Sequence, residues 1–119
     1  MNLLNSQVLA IILLIIGEIL AIYAEMIAAK HYSITSESPM KVFLKAFLTF
    51  SISGGFLISG YILGFSTFKN IWIVTALSVT SILIVEPILA YTIFHQAPTK
   101  GAVIGLILGG IGLLATIFE

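Results

Sequence analysis

The chain has 119 residues, of which 60% are hydrophobic and 8% charged, and it has no cysteine. Globular domains carry about 25% charged residues, so a soluble fold of this size lacks the polar surface to cover its apolar mass. Five lysines balance five glutamates, with no Arg or Asp, which excludes a basic face for nucleic acid, disulfide staples and cysteine metal sites.

In chain order, the first hydrophobic run is Val8–Ala29, VLAIILLIIGEILAIYAEMIAA. At 1.5 Å per residue it is long enough to cross a bilayer core of about 30 Å. The N-terminus lacks a charged n-region and a small-residue cleavage site, so this run reads as a retained span rather than a signal peptide. Glu18 lies near its middle, with no positive charge inside the run. A carboxylate at that depth costs roughly 2.5–3.5 kcal/mol on insertion scales. It is expected to face a protein interior or a wet cavity and to bind an ion, a proton or a cationic substrate. Glu25, seven residues on, returns to nearly the same helical face, with Ile11, Leu14, Ala21 and Ile22 filling the stripe. Two carboxylates so placed define a path from mid-membrane to the cytoplasmic end suited to proton exchange. In the alternative, Glu25 snorkels to water or pairs with Lys30. Tyr23 points away from Glu18 by more than a right angle.

The stretch Lys30–Lys41, KHYSITSESPMK, is the one segment polar enough to read as a flexible loop, with Pro39 helping to start the next helix. The second run, Val42–Phe65, carries small residues spaced by four, Ser51, Gly55 and Ser59 and then Gly60 and Gly64, as in close helix contacts. Gly54–Gly55 softens this helix. After a short connection, Ser66–Asn70, the third run is Ile71–Phe94. Trp72, near its start, suits an interfacial anchor. Thr75, Ser78, Thr80 and Ser81 make its first half polar. They hydrogen-bond a substrate, or they satisfy carbonyls of their own helix or bridge to a neighbour.

Glu86–Pro87 follows. Proline removes one N–H and clashes with the preceding turn, so a kink or hinge is expected there, with the Leu83 carbonyl left without its helical donor. Glu86 either points into the Glu18 cavity or caps a half-helix against a neighbour. Beyond the connection His95–Gly101, the fourth run, Ala102–Phe118, follows a glycine ladder: Gly101, Gly105 and Gly109 four apart, then Gly112 three on. Spacings of three and four return to one face, so this helix is expected to present a flat packing surface, within the chain or to another copy. His31 and His95 lie in connections without spaced partners and are poor metal ligands.

The fold class expected is therefore all-α and integral to a membrane: a single domain of four transmembrane helices with a glycine-rich fourth helix. No soluble part remains to hold an active site, so neither an enzyme nor a cofactor or metal site is expected. Lys30, Lys41, Lys45 and Lys100 flank the first and third connections and Lys69 alone the second. The positive-inside rule then places the first and third loops in the cytoplasm and both termini outside.

The segment IVEPILAYTIFHQAPTKGAVIGLILGGIGLLATIFE resembles the end of a repeat in the drug/metabolite transporter superfamily: a Glu-Pro in the penultimate helix, a short turn, a glycine-spaced last helix. SGYILGFSTFKN looks like the end of the second helix in the small multidrug resistance family, the four-helix members of that superfamily. The resemblance covers residues 58–118 well and about residues 8–30 weakly. It implies a four-helix protomer working as a dimer in the plasma (inner) membrane of a prokaryote, exporting solute by exchange against protons. It also implies that Glu18 stands where that family has the glutamate that binds protons and cationic substrate in turn. Three departures stand out. Thr75 and Ser78 occupy the third-helix positions of the drug exporters' Tyr and Trp, so cation–π contact with flat aromatic cations is lost. The first loop is longer. Four lysines against one favour a fixed orientation, hence a parallel assembly or an oppositely oriented partner.

Three functions are expected to compete. One is a small secondary transporter exchanging protons for a small cationic or polar solute. The second is a lipid or lipid-linked sugar translocase subunit. The third is a small structural or regulatory membrane subunit whose glycine faces dock a larger protein.

Overall fold

A computed structural model describes residues 2–34 and 38–118. They form four helices: α1, Leu3–Ile34; α2, Pro39–Phe68; α3, Ile71–Phe94; and α4, Lys100–Phe118. There is no strand among the described residues. In hydrocarbon every backbone polar group needs an internal partner, and a helix supplies it within the segment. The helices α1, α2 and α3 are long and apolar enough to cross a membrane, and α4 is a shorter apolar helix.

The helix ends obey local capping chemistry. Ser38 accepts from the Lys41 N–H at 3.3 Å, ahead of Pro39, whose missing N–H costs nothing in the first turn. Lys69 and His95 take left-handed conformations (φ 59° and 56°) and send their N–H groups back to Phe65 and Tyr91. Asn70 then starts α3, accepting from Trp72 N–H at 2.9 Å.

The sequence expectation needs correcting at the first connection. Lys30–Lys41 is mostly helical: α1 continues through Lys30 to Ile34, and α2 begins at Pro39. Thr35, Ser36 and Glu37, the rest of that expected loop, lie outside the described residues. Bilayer thickness limits the apolar run and not the helix, whose backbone bonding continues into water. At about 48 Å, α1 is longer than any hydrocarbon core. The helix α1 also starts earlier than Val8, and α2 runs past Phe65, for the same reason.

At the core, α1 crosses α2 at two reciprocal contacts. A Cβ added to Gly17 would stand 2.7 Å from Leu57 Cγ and 3.1 Å from Leu57 N. One added to Gly60 would stand 2.9 Å from Leu14 Cγ and 3.2 Å from Leu14 N. Each glycine thus receives the leucine of the other helix, and the order of the pairs makes the helices antiparallel. Gly64 continues the contact against Val74 of α3, with Ala10 of α1 beyond. Leu14 and Val74 are fully buried.

The small residues Ser51, Gly55 and Ser59 of α2 are exposed, and a Cβ on Gly54 or Gly55 would meet nothing, so this stripe packs on no other helix of the chain. The α4 ladder behaves likewise. Gly109 lies against Leu83 of α3, whereas Gly105 and Gly112 face open space and Gly101 meets only the neighbouring Thr99 hydroxyl. The helix α4 touches α3 alone, while α1 packs on both α2 and α3.

The result is a slab of 50 × 34 × 17 Å with a radius of gyration of 16.2 Å. A compact domain of this length would have about 13.5 Å. Large apolar side chains such as Phe47, Ile62, Trp72 and Leu108 cover its faces, as suits a molecule solvated by lipid tails.

Candidate functional site

The sequence places Glu18 about 22 Å from either end of α1. The fold then buries it: the residue is 7% exposed, within the packed sector of Leu14, Gly17, Ala21 and Ile22. Its partner comes from the polar half of α3. The Ser78 hydroxyl donates to Glu18 Oε1 at 2.8 Å, and this is the one hydrogen bond its carboxylate receives among the described residues. No described Lys or His forms an ion pair with it. A buried carboxylate with a single hydroxyl donor keeps lone pairs ready for a proton or a cation, the requirement for an exchanging group.

Gly17 explains how the carboxylate comes to be there. Its missing side chain lets α2 lie directly on α1, which closes one flank of Glu18. Val74 and Ala76 of α3, both buried, bring Ser78 to the other. Glu18 to Ser78 and Lys30 to Ile93 follow the same order along both helices, so α1 and α3 run parallel. In the second contact Lys30 Nζ donates to the Ile93 carbonyl at 2.9 Å. Ile93 belongs to the last turn of α3, where carbonyls lack helical donors and the helix dipole is negative, so an ammonium is well placed.

The other residues expected from the sequence do not join Glu18. Glu25 is exposed, and Lys30 is held by Ile93 rather than by Glu25, so the anticipated Glu25–Lys30 pair is absent among the described residues. A heptad on a straight α-helix drifts by about 20°, and by this level the packed sector has moved to Ala21 and Ala24. The two-carboxylate stripe is therefore not a shared interior face. Thr75 is half-buried and makes no hydrogen bond to another described residue. Ser81 donates to the Leu77 carbonyl at 2.9 Å and Thr80 to the Ala76 carbonyl at 2.6 Å, so these hydroxyls satisfy their own helix. Tyr23 is exposed, away from the site.

Glu86 does not reach the Glu18 site. It lines a separate cavity of about 600 Å³ between α3, the α3–α4 turn and α4, with Met26 of α1 on one wall. Pro87, inside α3, lines the same cavity. Without a proline N–H, the Leu83 carbonyl lacks its usual helical donor from position 87.

Sequence reasoning missed Gly17, Lys30's hold on α3 and the Met26 wall. Gly17 had a legible signal, as a lone glycine beside the buried charge in an otherwise bulky run. The other two depend on which helix lies where, and no local pattern carries that. No protein-family model matches this chain, and neither the curated proteins nor the solved structures contain a match to it.

Proposed function

We propose that the chain is a small secondary transporter, and not an enzyme, in which Glu18 alternately holds a proton and a small cationic or polar solute. The observation that carries this reading is the buried, singly hydrogen-bonded Glu18 midway along a membrane-spanning helix. Ser78 steadies the charged carboxylate while leaving it able to accept. A group with a full set of partners or a salt bridge would be an anchor and could not exchange.

The resemblance of residues 58–118 to the small multidrug resistance family supports a four-span protomer and a dimer. In this reading α4 is the fourth span. A slab 17 Å thick encloses no transmembrane path by itself, and a second copy supplies the opposite wall. The lysine bias puts the first and third connections in the cytoplasm of a prokaryotic plasma membrane. Glu25 and Thr75 belong to the approaches to Glu18, and Pro87 to the hinge. Gly112 of α4, where an added Cβ would meet nothing, suits a contact with another chain, and the same face would serve a heteromeric partner.

The test is flux in liposomes containing the purified protein, with an imposed pH gradient. Glu18→Gln should abolish solute-dependent proton movement while leaving the protein folded; coupled flux at the parental rate would eliminate Glu18 as the exchanging group. One observation favours a second reading. The α3–α4 cleft is mostly apolar and continues into a second apolar cavity between the same helices, room that a lipid or lipid-linked sugar translocase needs, and flux of a labelled lipid in the same liposomes distinguishes the two.

A further inference from the structure

The α3–α4 cleft holds a carboxylate that the Glu18 site does not use. In the cavity of about 600 Å³, Glu86 is the one charged side chain, and its walls are otherwise apolar apart from Gln96 and Thr99 at the turn. That volume lies within the range of about 300–1,000 Å³ typical of small-molecule sites. Glu86 stands eight residues from the end of α3 at Phe94, about 12 Å below it. At that depth no described Lys or His forms an ion pair with it, and the Leu83 carbonyl, one turn before it, lacks the N–H that any residue but proline would supply at position 87. Glu86 is exposed to a mostly apolar cleft whose side-chain donors, Gln96 and Thr99, lie at the turn, so its carboxylate is best complemented by a ligand that brings N–H groups and positive charge.

The cleft also has room for an apolar tail. Past Leu83 and Leu106, which line both spaces, a second cavity of about 360 Å³ continues between the same two helices, walled by Ile84, Leu113 and Leu114. Its one hydroxyl, on Thr80, is already donated to the Ala76 carbonyl. No helix but α3 packs against α4 along this seam, and Met26 is the one α1 residue on the wall of the first cavity.

We propose that the α3–α4 cleft is a binding site for an amphiphile with a primary ammonium head, which sits on Glu86 while its alkyl chain runs past Leu83 into the second cavity. The site is distinct from Glu18 and stands whether or not the chain exchanges protons. The ammonium donates to the Glu86 carboxylate and to the Leu83 carbonyl, and the aliphatic chain replaces lipid contact with Leu106 and Leu113. The same head chemistry occurs in free alkylamines and in ethanolamine phospholipids.

The experiment uses the full chain in lipid nanodiscs and a diazirine-bearing dodecylamine, with labelled residues located by peptide mass spectrometry. The matching dodecanol probe carries the same tail without charge. In phosphatidylcholine discs the amine should label α3 and α4 residues of the cleft about tenfold more than the alcohol, the size of one charge-assisted hydrogen bond. Glu86→Gln should remove that preference, and Ala90→Phe, which fills the cavity from α3, should reduce labelling by both probes. Glu18→Gln should leave the pattern intact, which separates failure here from failure of the exchange mechanism. Suppression by phosphatidylethanolamine would make the lipid headgroup the source, and no suppression a free amine; both outcomes support the site. Equal labelling by amine and alcohol, a preference that survives Glu86→Gln, or cleft residues labelled only as cross-links to a second copy would overturn it.

Discussion

Replacing Gly60 by alanine tests the α1–α2 crossing directly. The new methyl would lie 2.8 Å from Leu14 Cδ2, 2.9 Å from its Cγ and 3.2 Å from its backbone N. Carbon atoms pack best at about 3.5–4.0 Å, so the helices must part by roughly half an ångström or more. Leu14 is fully buried and its Cγ cannot swing aside as a side-chain tip would. Overpacking of this kind costs about 1–3 kcal/mol, offset by about 1 kcal/mol of helix propensity gained over glycine. The net loss expected is about 0–2 kcal/mol. Gly55→Ala, in the same helix but facing open space, should gain up to about 1 kcal/mol. Equilibrium unfolding in mixed micelles, followed by Trp72, the chain's one tryptophan, measures both. Gly17→Ala strains the same crossing from the other side. Once the helices have parted for one methyl the second costs less, so the double variant should lose less than the sum of the singles. Equal stability of Gly60→Ala and Gly55→Ala, or strict additivity of the crossing pair, would refute the reasoning.

Other consequences are open to measurement. Lys30→Met keeps the aliphatic stem but leaves the Ile93 carbonyl without its donor; the last turn of α3 should exchange its amide hydrogens about tenfold faster, with α2 unchanged. Pro87→Ala returns an N–H to the Leu83 carbonyl, so stability should rise by about 0.5–1.5 kcal/mol as amine labelling of the cleft falls. Unchanged labelling would show that the cleft does not depend on the proline. Gly112→Leu adds bulk where a Cβ meets no described residue within 4 Å, so the monomer should fold normally while cross-linked dimer declines. A dimer yield equal to that of the parent protein would place the interface elsewhere.

The helices were legible because burial in lipid leaves the backbone so few choices, and the bounds of α3 read from the sequence are those observed. Their true ends were harder to read. Hydropathy marks where the apolar run stops, yet α1 continues past Lys30, whose side chain is occupied by a carbonyl on another helix. Glu18 announced itself through cost alone, and Ser78 was one of four equivalent hydroxyls until the rotation of α3 selected it. Glycine spacing pointed most strongly to α4, whereas the tight contacts lie at Gly17, Gly60 and Gly64. Spacing tells which residues share a face. Which neighbour meets that face is a property of three-dimensional arrangement, and the ladder of α4 meets little within its own chain.

The Leu14–Gly17 and Leu57–Gly60 crossing has a consequence for biosynthesis. All four residues lie in the first two helices, so this contact is complete before α3 and Ser78 have left the ribosome. The newborn hairpin therefore carries Glu18 without its partner for as long as the next helix takes to be made, on the order of seconds at about 5–20 residues per second. Its hydrogen-bond donor arrives only with the third helix, so the buried carboxylate is the part of this core that is completed last.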